Sequence, residues 1–357
     1  MFSRQAEGSS PFSAGGSVRS IRRLAYFAVV LAFTLVIVGG VVRVSDSGLG
    51  CGPGGSGTKG WPLCGGRVVP LIDANMIIEY SHRILAGSLA VVIGLLVYLA
   101  RRHLPRGHAL RRVTVAAFGL VLFQAALGGL TVEKGLEEEL VAAHLGVAML
   151  QLGLLLLIAF LTTAQPRSQS GLASLRSGAA AAPPAVRLLS VLTTLAVLGT
   201  IVAGGYMSAN ELHGTGEHAR AVHMACGKDF PSCQGEFLPF GRTRDLDIHL
   251  THRAFMYVAS ALMLLLFVTT VRRVRLTADR DGRIVSATAG AFAVFVTQVL
   301  LGALNVWLGE HAWLVILHLT TGTLLWCSLV YLSLLVLRGR EQAAPAPREA
   351  TIEAAPA

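Results

Sequence analysis

Glu79-Tyr80-Ser81-His82-Arg83 and His249-Leu250-Thr251-His252-Arg253 each open a long apolar run, and the two share a His-Arg pair at the same place. A second match fixes the register: Gln124-x-x-x-Gly128 precedes His144 by 20 residues, and Gln298-x-x-x-Gly302 precedes His318 by the same 20. Gly39-Gly40 and Gly204-Gly205 end two further apolar runs at equivalent points. The chain therefore reads as one unit and its copy.

Eight apolar stretches are long enough to cross a hydrocarbon core of about 30 Å. They are Leu24 to Val44, Met76 to Ala100, Val113 to Val132, Leu140 to Thr163, Val186 to Met207, Ile248 to Val271, Ile284 to Val306 and Ala312 to Leu337. The composition agrees: of 357 residues 53% are hydrophobic and 14% charged, with a mean hydropathy of +0.62. A soluble domain carries roughly 25% charged residues. The expected class is an all-α membrane protein, because a helix satisfies its own backbone hydrogen bonds in lipid. Four spans repeat as four, so we expect two pseudo-symmetric four-helix bundles related by an axis along the membrane normal.

Expected divisions are a cytoplasmic tail at 1–23, a first half at 24–163, a Ser, Ala and Pro-rich linker at 164–185, a second half at 186–337 and a disordered tail at 338–357. No compact apolar core with a small-residue cleavage site precedes the first span, so the N-terminus does not read as a signal peptide. The formal net charge of +10 is a topology signal here and calls for no nucleic acid. Arg22 and Arg23, Arg101, Arg102, Arg106, Arg111 and Arg112, Arg272, Arg273 and Arg275, and Arg338 and Arg340 all fall on one side. That side is expected to be cytoplasmic, with both termini inside and the long loops Ser45 to Asn75 and Ser208 to Asp247 outside.

Four of the eleven histidines, His82, His144, His252 and His318, lie one each on spans 2, 4, 6 and 8. All sit about 6 to 9 Å below the outer end of a span, at 1.5 Å per residue. Paired imidazoles on facing helices suit axial ligation of haem iron, whereas zinc would need further His, Cys or carboxylate ligands nearby. Arg83 and Arg253 follow two of these histidines and are placed either to pair with a haem propionate or to snorkel to headgroups. Gln124 and Gln298, within apolar runs, need a bound group or another helix as partner. Glu79 precedes His82 by three residues, on the same helix face, while the copy has His249 there. The first half is therefore expected to do chemistry and the second to hold a permanent cofactor.

Cys51 and Cys64 share the first outer loop, and Cys226 and Cys233 the second. Each pair reads as a loop-closing disulfide or as a redox-active dithiol; the structural role is favoured for the second pair and the first stays open. Cys327, alone in span 8, reads as an inert apolar residue. The stretch Gly48 to Gly66 carries no phosphate-binding motif and is expected to be a flexible lid over the first site, and His213, His218 and His223 to be solvated or to take part in proton or electron transfer beside a haem site.

Together, the two four-span repeats, Glu-x-x-His-Arg in span 2, His-Arg in span 6, the histidines of spans 4 and 8 and a cysteine pair in each outer loop resemble the haem A synthase family, from Arg22 to Leu337. The glycine-rich insert between Cys51 and Cys64 departs from the simplest family pattern. The resemblance implies a cell-membrane oxidoreductase that oxidises the C8 methyl of haem O twice, through an alcohol, to the formyl group of haem A. It implies haem b on His252 and His318, and haem O on His82 and His144 with Glu79 as the carboxylate needed for turnover. It also implies membrane lipid, haem O synthase and cytochrome oxidase assembly factors as partners, and a homo-oligomer. The competing classes are a di-haem cytochrome b-type quinol/electron-transfer protein, which gives Glu79 no special place, and a transporter, which expects a site near the midplane.

Overall fold

The computed structural model describes residues 11–69, 73–163, 182–211, 222–274, 282–309 and 311–337. It is all-helical, with no strand among the described residues. The long helices are α1 (Pro11–Val44), α2 (Ala74–His103), α3 (Ala109–Glu133), α4 (Glu138–Thr163), α5 (Pro184–Ala209), α6 (Arg244–Val274), α7 (Arg283–Leu308) and α8 (Ala312–Leu337). All eight contain a stretch long and apolar enough to cross a membrane. Arg275, Arg338, Arg340, His213 and His218 lie outside the described residues.

Most helices start earlier than hydropathy indicates, α1, α3 and α6 by four residues or more. α1 begins at Pro11, ahead of Leu24, and its packed stripe already includes Ile21, Ala25 and Ala28, all buried. Hydropathy averages over every face of a helix, so an end with one buried stripe and several arginines scores as tail. α6 begins at Arg244, which places Asp245 and Asp247 in its first turn, where the helix dipole favours them.

Helices α1 to α4 form a ring in which α1 touches α2, α2 touches α3, α3 touches α4 and α4 returns to α1; α5 to α8 have the same neighbours in the same order. Leu89, Ile93 and Leu96 of α2 and Met149, Leu152, Leu155 and Ile158 of α4 fill the first core, Met263, Leu266, Leu329 and Leu332 the second. Outward faces carry Val30, Val91 and Leu188, which are exposed apolar residues suited to lipid.

The rings meet along α4, α5, α1 and α8. Small residues allow the approach: a Cβ on Gly205 would lie 2.8 Å from Leu145, and one on Gly146 3.1 Å from Val202. The Trp326 indole N–H donates to the Met149 carbonyl at 2.8 Å across the seam. At the end bearing the cysteine loops, Arg43 of α1 donates to the carbonyls of Ser208 (2.6 Å) and Glu211 (2.7 Å). It thereby adds a donor to the Ser208 carbonyl in the last turn of α5, which also accepts the Glu211 N–H at 3.2 Å.

Candidate functional site

The four span histidines share one setting. Each imidazole lies against a glycine of the preceding helix: His82 against Gly39, His144 against Gly128, His252 against Gly204 and His318 against Gly302. A Cβ on these glycines would stand 3.2, 2.9, 2.9 and 3.1 Å from the respective Cε1 atoms. The glycine is thus what lets a ring turn inward between two helices. The sequence reading used these glycines to fix the register; the structure makes them the floor of each imidazole pocket.

His82 and His144 belong to the first ring of helices, His252 and His318 to the second. His252 Nδ1 lies 3.0 Å from the Thr200 carbonyl, so Nδ1–H donates there and Nε2 keeps its lone pair. The Nδ1 atoms of His82, His144 and His318 are buried with no hydrogen-bond partner among the described residues. Gln124 Nε2 donates to the His144 carbonyl at 2.8 Å, whereas Gln298 Nε2 lies 3.2 Å from His318 Nε2. Among the described residues no three His, Cys, Asp or Glu side chains gather around a point. Paired imidazoles without further donors fit a metal whose other ligands come from a macrocycle, and do not fit zinc.

One turn nearer the loops, the halves diverge. Buried Glu79 is ion-paired with Arg83, and its Oε2 accepts the Cys51 backbone N–H at 2.7 Å. In the second half His249 stands in its place: Nδ1–H donates to the Val222 carbonyl at 3.1 Å, and Nε2 accepts from Arg253 Nε at 2.8 Å. The remaining arms of each arginine hold the loop above. Arg83 donates to Gly60 and Leu63 carbonyls at 2.6 and 2.9 Å, Arg253 to Asp229 and Ser232 at 2.9 and 2.7 Å. Both guanidiniums are therefore loop clamps, neither snorkelling freely nor turned wholly toward the histidines.

Both cysteine pairs are disulfides, Cys51–Cys64 and Cys226–Cys233. After the second cysteine each loop makes the same two-residue bridge, Cys64 with Arg67 and Cys233 with Glu236. Before it stand Trp61-Pro62 and Phe230-Pro231, both cis. Trp61 packs on Gly129 of α3 and Phe230 edge-on to Trp307 of α7. An aromatic-Pro-x-Cys repeat was thus present in the sequence at both loops, and its spacing to the arginine below is the signal that the histidine-centred reading passed over.

The expected flexible lid is a compact, bonded loop. Gly55 N–H donates to the Glu133 carbonyl at 2.9 Å, Gly57 N–H to the Glu133 carboxylate at 3.1 Å, and both cysteines are fully buried. A Cβ on Gly50 would lie 2.5 Å from the Asn75 backbone, so this glycine serves close packing and not looseness. His223 is also not simply solvated: its N–H and Nδ1 meet buried Glu211 Oε1 at 2.6 and 2.9 Å.

Comparison with known proteins agrees with this architecture. The model of a family described as cytochrome oxidase assembly protein matches residues 22–330. The chain is 31% identical over 333 residues to the heme A synthase of Symbiobacterium thermophilum, covering 92% of this chain and 99% of that protein. It is 27% identical over 323 residues to the heme A synthase of Shouchella clausii, covering 90% and 98%. With nearly every span inside the matched region, this multi-pass membrane protein belongs to the cytochrome oxidase assembly protein family.

Proposed function

We propose that the protein is a haem A synthase, a membrane oxidoreductase that converts the C8 methyl of haem O to the formyl group of haem A. The observation that carries this reading is the difference between otherwise matched halves, Glu79 in one and His249 in the other, beside equivalent histidine pairs. The names of the relatives point the same way.

In this reading His252 and His318 would hold haem b, the Thr200 carbonyl fixing the His252 tautomer so that Nε2 keeps its lone pair for the metal. His82 and His144 receive haem O. Haem iron supplies the redox chemistry when bound. Glu79 then takes up protons as the methyl is oxidised, or stabilises positive charge developing at that carbon. Arg83 and the Cys51 N–H fix the carboxylate, and the disulfide loop keeps bulk water from it. Arg22, Arg23, Arg101, Arg102, Arg106, Arg111, Arg112, Arg272 and Arg273 lie at the helix ends away from the disulfide loops, so those loops would be extracytoplasmic.

The test is pigment extraction and chromatography from purified wild type and His82→Ala. Haem b in both, with haem O or haem A lost only from the variant, supports the reading. Two equivalents of haem b and no haem O or A, even with haem O supplied, would make the protein a di-haem electron carrier.

A further inference from the structure

The first core contains a polar side chain that the proposed chemistry does not use. Gln151 of α4 is 3% exposed, and neither its Oε1 nor its Nε2 has a hydrogen-bond partner among the described residues. A buried amide with nothing to bond is costly, so an apolar residue would be the default choice at such a position.

The contacts of α4 settle where Gln151 points. Ala142, Leu145, Gly146, Met149 and Gly153 face the second half, through Gly205, Val202 and Trp326. These five positions lie along one side of the helix. His144 and Gln151 lie on the opposite side, seven residues apart and so within about 20° of each other. Gln151 therefore projects into the first ring directly below His144, about 10 Å deeper. The second half has no such group: seven residues after His318 stands Leu325, buried in an apolar cluster.

We propose that Gln151 is a specificity-determining residue of the first-half site, its amide receiving the hydroxyl that the prenylated haem O carries next to its ring and that protohaem lacks. This rests on the reading of His82 and His144 as the haem O site. A macrocycle held by His144 spreads its substituents over roughly the depth that separates His144 from Gln151. A haem O bound with its polar propionates toward the loops would turn its prenyl side inward, to the level of the amide. The carboxamide both donates and accepts, so it suits a hydroxyl, and an apolar substituent in its place leaves the amide unpaired. The permanent haem in the second half has no hydroxyl, and Leu325 is the matching choice.

The experiment is a Soret titration of the full-length, haem b-containing protein with haem O and, separately, with protohaem, on wild type, Gln151→Leu, Gln151→Met and His144→Ala. His144→Ala identifies the signal that belongs to the first site. We expect wild type to prefer haem O, and both Gln151 variants to lose about 10-fold of that preference through weaker haem O binding. We also expect their melting temperature without added haem to stay level or rise, because an unpaired amide is removed; a Gln with a merely structural role would lower it. Unchanged preference in folded Gln151 variants overturns the proposal and leaves the haem O site standing. Absence of any His144-dependent haem O signal in wild type overturns the site reading, and the proposal with it.

Discussion

The two halves build the same collar around an arginine from different chemistry. In the first, Arg83 meets the carboxylate of Glu79; in the second, Arg253 meets a neutral imidazole nitrogen of His249. Both arginines then reach the carbonyls at the same two places in their loops. The fold evidently needs only an acceptor one turn above the histidine to seat the clamp. A carboxylate is more than the clamp requires, and burying its charge is costly. Its presence in one half alone is the asymmetry on which the proposed chemistry of that half rests.

The sharpest way to break this comparison is to give the first half the second half's residue. Glu79→His should keep the loop seated and haem b bound, yet lower haem A formation by about 100-fold or more, the usual scale for a lost proton-transfer group. Near-normal turnover by this variant would remove the distinction between the halves. The reciprocal His249→Glu should retain both haem b and activity.

The clamps themselves should differ in strength. Arg83→Ala strands a buried carboxylate and is expected to cost about 4 kcal/mol. Arg253→Ala leaves a neutral imidazole and should cost about 2 kcal/mol. Denaturation of both variants in detergent checks the order, and equal losses would mean that Glu79 is better solvated than its burial indicates. Glu79→Met combined with Arg83→Met should recover much of the first loss.

Glycine substitutions should sort by half and by clearance. Gly204→Ala intrudes on His252 at 2.9 Å and Gly302→Ala on His318 at 3.1 Å, so the former should release more haem b. Gly128→Ala crowds His144 at 2.9 Å and should leave haem b in place while weakening the first site. Overpacking of this kind costs about 1 to 3 kcal/mol. Absorbance per protein reads the second site, and haem O titration the first.

The smallest difference concerns the disulfides. Cys51 and Cys64 are 13 residues apart, Cys226 and Cys233 only 7. By chain entropy, removing the first pair should cost about 0.5 kcal/mol more than removing the second. A much larger gap would show that the longer loop also depends on its disulfide for the Cys51 N–H that holds Glu79.

Much of this was legible in sequence because lipid permits few solutions. Eight apolar runs can be little but helices, and His82, His144, His252 and His318 stand out as polar groups at matching depth. The fates of Arg83 and Arg253 were not legible, since a guanidinium at a helix end has equal access to headgroups, a ligand or a loop until the loop is folded. Gln151 does not stand out in the sequence, because hydropathy records that it is polar and not which side of α4 it occupies.

The sequence by itself determined the helical class, the internal repeat, the pairing candidates and the Glu79/His249 asymmetry, all of which depend on residue type and spacing along one chain. Tertiary structure alone decided which glycine lies under which imidazole, how the cysteine loops lock to the arginines and which face of α4 meets the second half. Those are contacts between segments far apart in the chain, chosen by shape and by the satisfaction of buried polar groups once the helices are side by side.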